Sequence, residues 1–233
     1  MTTMTIPSRD GGMFSAYMSM PETDQAMPAI IVIQEIFGVN ENMRVICDNL
    51  SQLGYMVVCP DLFWRQEANV ELSDKSEEDM TKAMEFYKNF NEDKGVDDLI
   101  STLDFIRQSD ACAGYVGAIG FCLGGKLAYL MAARSNIDCT VSYYGIGLEK
   151  DLEENLTIQK PFMMHVAAED EFVPKETWRA NITAFRDNQN IIPHVYDGVG
   201  HAFARMNGEH FNADSAKQAN LRTADFLATY LAD

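Results

Sequence analysis

Five residues, Gly120-Phe121-Cys122-Leu123-Gly124, have the types and spacing to make a sulfur nucleophile. The apolar run Tyr115-Val116-Gly117-Ala118-Ile119 before them reads as a strand. Gly125-Lys126-Leu127-Ala128-Tyr129-Leu130-Met131-Ala132-Ala133 after them reads as a helix. A strand, G-x-nucleophile-x-G, then helix makes a sharp turn that lifts one side chain clear of a sheet and aims backbone N–H groups toward the reacting carbonyl. The glycines answer a steric need, because side chains two positions either side of the nucleophile would collide in so tight and strained a bend. The same stretch nearly spells the phosphate loop G-x-x-x-x-G-K-[ST]. Leu127 stands where the Mg²⁺-binding hydroxyl belongs, so nucleotide binding is not expected.

A nucleophile of this kind needs a base and a group that orients the base, in the chain order nucleophile, acid, His. Phe162-Met163-Met164-His165-Val166 reads as a strand that runs into Ala167-Ala168-Glu169-Asp170-Glu171-Phe172-Val173-Pro174. The next apolar run, 191–196, leads into Gly198-Val199-Gly200-His201-Ala202-Phe203. Sites of α/β proteins are built just beyond strand ends. Asp170 is therefore expected to orient His201, and His201 to serve Cys122. Singly, each has a plainer explanation: a buried inert thiol, a solvated turn, a surface histidine. Their joint order and placement favour a Cys122–Asp170–His201 triad. His165, inside an apolar strand, reads as a satisfied core residue. His194 lies mid-strand, and His210 lies in a polar loop with no nucleophile pattern nearby.

These side chains need a frame. Apolar runs alternate with helical patterns from Ala29 onward, which predicts an α/β fold with a mostly parallel sheet covered on both faces. Strands are expected over 14–18, 29–34, 56–59, 115–120, 140–144, 161–167 and 191–196. Asn40 reads as the cap of a helix with an apolar stripe of Met43, Ile46, Cys47 and Leu50, ended by Gly54. Val96, Leu99, Ile100, Leu103 and Ile106 form a second stripe, and Ala224, Leu227 and Leu231 a third. The charged stretch 71–79 reads as solvated loop or a first helical turn. No repeat or linker interrupts residues 1–233, so one domain is expected, and 233 residues suffice for a full core.

Composition narrows the function classes. The formal charge of −17 argues against nucleic acid and anionic membranes as partners, and obliges an anionic substrate to find local positive charge. Five cysteines, odd in number and without C-x-x-C, fit a reducing compartment with no disulfide framework, and no Cys/His spacing suggests zinc. No metal or other cofactor is expected. The first ten residues lack a basic-then-apolar leader, and the most apolar stretch, Ala29-Ile30-Ile31-Val32-Ile33, is too short to span a bilayer. A cytoplasmic enzyme is the default expectation.

The chain resembles the dienelactone hydrolase (carboxymethylenebutenolidase) family of α/β-hydrolases. The resemblance runs through Gln34-Glu35-Ile36-Phe37-Gly38, Pro60-Asp61-Leu62, Gly95-Val96-Asp97-Asp98-Leu99, the Gly120–Gly125 turn, Tyr143-Tyr144-Gly145-Ile146-Gly147-Leu148-Glu149, Asp170-Glu171-Phe172-Val173-Pro174 and Gly200-His201-Ala202-Phe203-Ala204-Arg205. It implies an α/β-hydrolase fold with minimal or no lid. It also implies a carboxylic ester hydrolase that opens small carboxylate-bearing lactones, as in chloroaromatic degradation, where dienelactone becomes maleylacetate. It gives Glu35 the part of a gate, paired with Arg205 until a substrate carboxylate takes the arginine and the freed Glu35 strips the thiol proton. It implies that the Ile36 N–H joins that of Leu123, the residue after the nucleophile, in an oxyanion hole, and it makes Tyr144 and Phe37 the pocket-lining candidates, with plain core the alternative for either. One departure stands out: members acting on dienelactone can use a second arginine before the Gly95 run, and residues 77–87 contain none. Lys82 could substitute only as a point charge. The alternatives on the same triad are a general carboxylesterase or a thioesterase; a non-catalytic ligand-binding module of this fold is the third.

Overall fold

The computed structural model describes residues 2–232. The chain divides into two compact units, one up to Ala118 and one from Ile119 onward.

In the first unit β1 (Thr2–Pro7) and β2 (Met13–Ser19) form an antiparallel hairpin in which Thr2 faces Met18 and Pro7 faces Met13. β2 pairs antiparallel with β4 (Met56–Pro60), and β4 runs parallel to β3 (Met27–Ile33), Ala29 opposite Met56. All of β4 and nearly all of β3 is buried, as expected of parallel strands covered on both faces. The helix α1 (Glu41–Ser51) starts where the Asn40 side chain accepts the Met43 N–H at 3.2 Å, and it turns Met43 and Cys47 inward. Gly54, at φ +97°, takes the left-handed step after its end. α2 (Glu77–Lys88) is capped by Ser76 and α3 (Glu92–Arg107) by Asn91. α3 buries Val96, Leu99, Leu103 and Ile106, while Ile100 stays half-buried. Its Asp98, fully buried, accepts from Trp64 Nε1 at 2.9 Å and Ser8 Oγ at 3.0 Å and pairs with Arg65, which also reaches Asp10 at 2.7 Å. A buried carboxylate persists only when paired and hydrogen-bonded in this way.

β5 (Cys112–Phe121) spans the boundary. In the second unit it leads into α4 (Leu123–Arg134), followed by β6 (Cys139–Tyr143), β7 (Phe162–Ala167), α5 (Lys175–Phe185), β8 (Ile191–Tyr196) and α6 (Ala213–Tyr230). β6, β7 and β8 are parallel, with Thr140 opposite Phe162 and Phe162 opposite Ile191. The strand order is β1-β2-β4-β3-β5-β6-β7-β8 in one eight-stranded sheet. The expected mostly parallel α/β architecture is therefore found, and helices make the crossovers that parallel strands require. Every residue of α4 from Leu123 to Ala132 is buried. That includes Lys126, whose ammonium pairs with Asp151 at 2.9 Å.

Three elements were not anticipated from sequence, one of them α5, which buries only Trp178, Asn181 and Phe185. β1 carries only one buried side chain, Ile6, so its alternation is hidden among polar residues. α2 buries only Ala83 and Phe86, too thin a stripe to read, and the charged stretch 71–79 resolves into a loop followed by the first turn of α2. Among the described residues no helix is long and apolar enough to cross a membrane.

Candidate active site

Cys122 occupies the step between β5 and α4 with φ 55° and ψ −115°, a region side-chain-bearing residues rarely enter. Its backbone is held from both sides. Its N–H donates to the Tyr143 carbonyl at 3.0 Å, and its own carbonyl accepts the Gly125 N–H at 3.0 Å. The glycines around it are steric necessities. A Cβ on Gly120 would lie 1.8 Å from the Gly124 carbonyl oxygen, and one on Gly125 would lie 2.7 Å from Gly145 Cα. Leu123 opens α4, so its N–H belongs to the first turn, where donors have no intrahelical acceptor and the helix end is electropositive.

Asp170 lies just past β7 and His201 just past β8, both buried at 5% exposure. Asp170 Oδ1 accepts the Phe172 N–H at 2.9 Å, and Oδ2 lies 2.8 Å from His201 Nδ1. The imidazole is held edge-on by two rings, Tyr144 at 5.1 Å and Phe172 at 4.9 Å between centroids. Its Nε2 is buried and makes no hydrogen bond of ordinary geometry among the described residues. Cys122 is nevertheless near enough to act on its charge. Burial works against the imidazolium, but a negative sulfur at Cys122 and the Asp170 hydrogen bond outweigh it and raise the His201 pKa to about 10. The elbow, an imidazole that holds a proton and a carboxylate that fixes the ring are the parts of a nucleophilic acyl-transfer site.

Tyr144 is buried, at φ +39°, with its N–H donating to the His165 carbonyl at 2.8 Å and its ring against His201. Arg205 is half-buried, and its N–H donates to the Ala202 carbonyl at 2.9 Å one turn beyond His201. Glu35, Ile36, Phe37 and Lys82 belong to the first unit. Glu35 is 1% exposed, so the solvated strand end that its position ordinarily implies is not what forms. Its neighbour Gln34 is buried and locks this turn, accepting the Leu62 N–H at 3.0 Å. Ile36 and Phe37 are buried with it. Lys82, half-buried on α2, pairs with Glu67 at 2.9 Å and lies over the Phe86 ring. His165 is the core residue expected, with Tyr196 on one ring nitrogen at 2.8 Å and Thr223 on the other at 2.9 Å, and burial presses its pKa well down. The contact of Phe172 with His201 was not foreseen; an exposed aromatic two residues after the candidate acid was its only signal. Among the described residues no cluster of His, Cys, Asp and Glu could hold a metal ion.

A cysteine elbow on a mostly parallel sheet, with acid and histidine following in that order at later strand ends, defines an α/β-hydrolase. Residues 14–231 match the dienelactone hydrolase family, and the chain belongs to it. It is 39% identical to carboxymethylenebutenolidase 1 of Cupriavidus pinatubonensis, across 96% of this chain and 94% of that one. It is 44% identical to a protein of Azospirillum brasilense assigned as a carboxymethylenebutenolidase, over 99% of this chain and all of that one. Among solved structures, a Klebsiella pneumoniae protein assigned as a dienelactone hydrolase superposes with a TM-score of 0.87 at 26% identity, covering 98% of both chains. The chain is thus a carboxymethylenebutenolidase-like carboxylic ester hydrolase.

Proposed function

We propose that the protein is a cysteine-dependent hydrolase that opens small carboxylate-bearing lactones through an acyl-enzyme, with Cys122 as nucleophile, His201 as proton carrier and Asp170 as its orienter. The observation that carries this reading is the strained Cys122 turn in the same unit as the 2.8 Å Asp170–His201 pair. The Cys122 thiolate adds to the lactone carbonyl, and the Leu123 N–H stabilises the oxyanion. The ring C–O bond breaks, and the imidazolium of His201 protonates the departing enolate. Acylation also removes the sulfur's negative charge, the largest influence holding the His201 pKa up, so burial then favours the neutral ring. Neutral His201 takes a proton from water, the hydroxide adds to the thioester, and the thiolate leaves.

Further roles are proposed from the family pattern. Glu35 takes the thiol proton before attack and returns it once the thiolate has left the product, the Ile36 N–H completes the oxyanion hole, and Phe37 and Tyr144 line the pocket. Arg205 binds the substrate carboxylate, since a guanidinium stays charged and grips both oxygens. A second reading, a general carboxylesterase or thioesterase on the same residues, is favoured by one observation: Lys82, the only cation offered in place of a second arginine, is engaged with Glu67. Steady-state kinetics on dienelactone, p-nitrophenyl acetate and an acyl thioester separate the two. Lactone hydrolysis is expected to give the highest kcat/KM, and Arg205→Ala to raise KM for the anionic lactone about 10-fold or more, the scale of a charge-assisted contact, with little effect on the neutral ester. Equal effects on both substrates, or a preference for the neutral ester, would favour the esterase reading.

A further inference from the structure

A small cavity of about 20 Å³ adjoins Asp170 in the second unit. Its walls include Asp170, Ser142, Met164, Trp178 and Asn181. Asn181 comes from α5 and is only 2% exposed, and its Oδ1 has no hydrogen-bond partner among the described residues. A buried amide oxygen left without a donor costs about 1–3 kcal/mol, and such atoms are normally satisfied by protein or ordered water. The indole N–H on the wall, Trp178 Nε1, donates to the Ala168 carbonyl at 3.4 Å. One water needs roughly 10–15 Å³ and at least two polar partners, and this cavity supplies both. Asp170 has capacity to be one of those partners. A carboxylate has about four acceptor positions, and the bonds from Phe172 and His201 occupy one on each oxygen.

We propose that this cavity is a binding site for a single structural water, which donates one hydrogen to Asn181 Oδ1 and the other to the Asp170 carboxylate. Ser142 offers a hydroxyl that can donate to the water's oxygen. Asn181 is then a positioning residue for the acid of the triad, and the proposal rests on the reading of Asp170 as that acid. The water holds the Asp170 carboxylate in place while the proton on His201 comes and goes, because a buried polar group with every bond satisfied has one arrangement. Its loss frees the carboxylate to turn away from His201 Nδ1 and slows the chemical step.

The test combines a high-resolution crystal structure of the wild-type protein with kcat and KM on p-nitrophenyl acetate, and the NMR signal of the His201 Nδ1 proton, for wild type, Asn181→Leu and Asn181→Ala. Density for a water bonded to both Asn181 Oδ1 and Asp170 is expected. Asn181→Leu fills the space with hydrocarbon; its kcat should fall about 10-fold, the scale of one lost hydrogen bond to a charged group, with KM unchanged and the Nδ1 proton signal displaced. Asn181→Ala leaves room for a second water and should keep its kcat and its signal near those of wild type. A dry cavity in the wild-type crystal, or an unchanged kcat and signal in Asn181→Leu, overturns the proposal. Should Asn181→Leu fail to fold, the wild-type density decides. Cys122→Ala, run alongside, separates the two failures: activity in that variant removes the triad reading itself, whereas an inactive Cys122→Ala beside an unchanged Asn181→Leu removes only the water link.

Discussion

Asp170 Oδ2 lies 2.8 Å from His201 Nδ1 while Asp170 Oδ1 takes the Phe172 N–H at 2.9 Å, so one carboxylate is fixed by the backbone with one oxygen and fixes the imidazole with the other. The hydrogen of the ring is thereby assigned to Nδ1, and Nε2 is the nitrogen left to exchange protons. Asp170→Asn replaces this with an amide that can donate and so tolerates the wrong tautomer. Its kcat/KM is expected to fall about 10²- to 10⁴-fold, the range for a misplaced acid–base group, with little change in thermal midpoint. Steady-state kinetics with calorimetry measure both; activity within about twofold of wild type would remove Asp170 from the mechanism.

The second prediction concerns the charge on His201. Its pKa in the folded protein is about 10, against an ordinary 6.5, because a negative Cys122 and Asp170 overcome burial. A raised pKa means that the imidazolium stabilises the fold fully below about pH 6.5 and that this contribution is lost as pH rises through about 10. Removing the sulfur leaves burial with less opposition. NMR titration of the His201 ring should therefore give a midpoint near 10 in wild type and a lower one in Cys122→Ala. Equal midpoints would show that the sulfur does not act on the imidazole.

The turn itself can be tested through its glycines. Gly120→Ala drives a methyl onto the Gly124 carbonyl at 1.8 Å, a backbone atom that cannot swing aside. A loss of about 3 kcal/mol or more is expected, at the upper end of overpacking costs. Gly198, at φ +70° with nothing near its absent Cβ, is the control: Gly198→Ala meets backbone strain alone and should cost about 1–2 kcal/mol. Urea unfolding orders the two, and a Gly120→Ala protein as stable as Gly198→Ala would mean that the turn relaxes.

Much of the fold is legible because burial repeats at regular periods. β3, β4, β6 and β7 are short, almost wholly buried runs between turn residues, and α1 and α3 carry clear stripes behind asparagine caps. β1 and α2 escape because each buries too little for its period to stand out. For the candidate site, the glycine spacing points to the bend at Cys122, since close packing leaves only glycine possible there. What sequence could not supply is long-range contact. The ring of Phe172 on His201, the burial of Glu35 and the cavity beside Asn181 depend on atoms distant in the chain, and no local pattern encodes them.

The proposal depends above all on covalent catalysis by the Cys122 sulfur. The most direct measurement is turnover of dienelactone by Cys122→Ala beside wild type, with circular dichroism to show that the variant is folded. A folded variant with activity reduced at least about 10³-fold, toward what positioning and the oxyanion hole retain without a nucleophile, is the expected result. A folded Cys122→Ala protein that still opens the lactone at near the wild-type rate would contradict it.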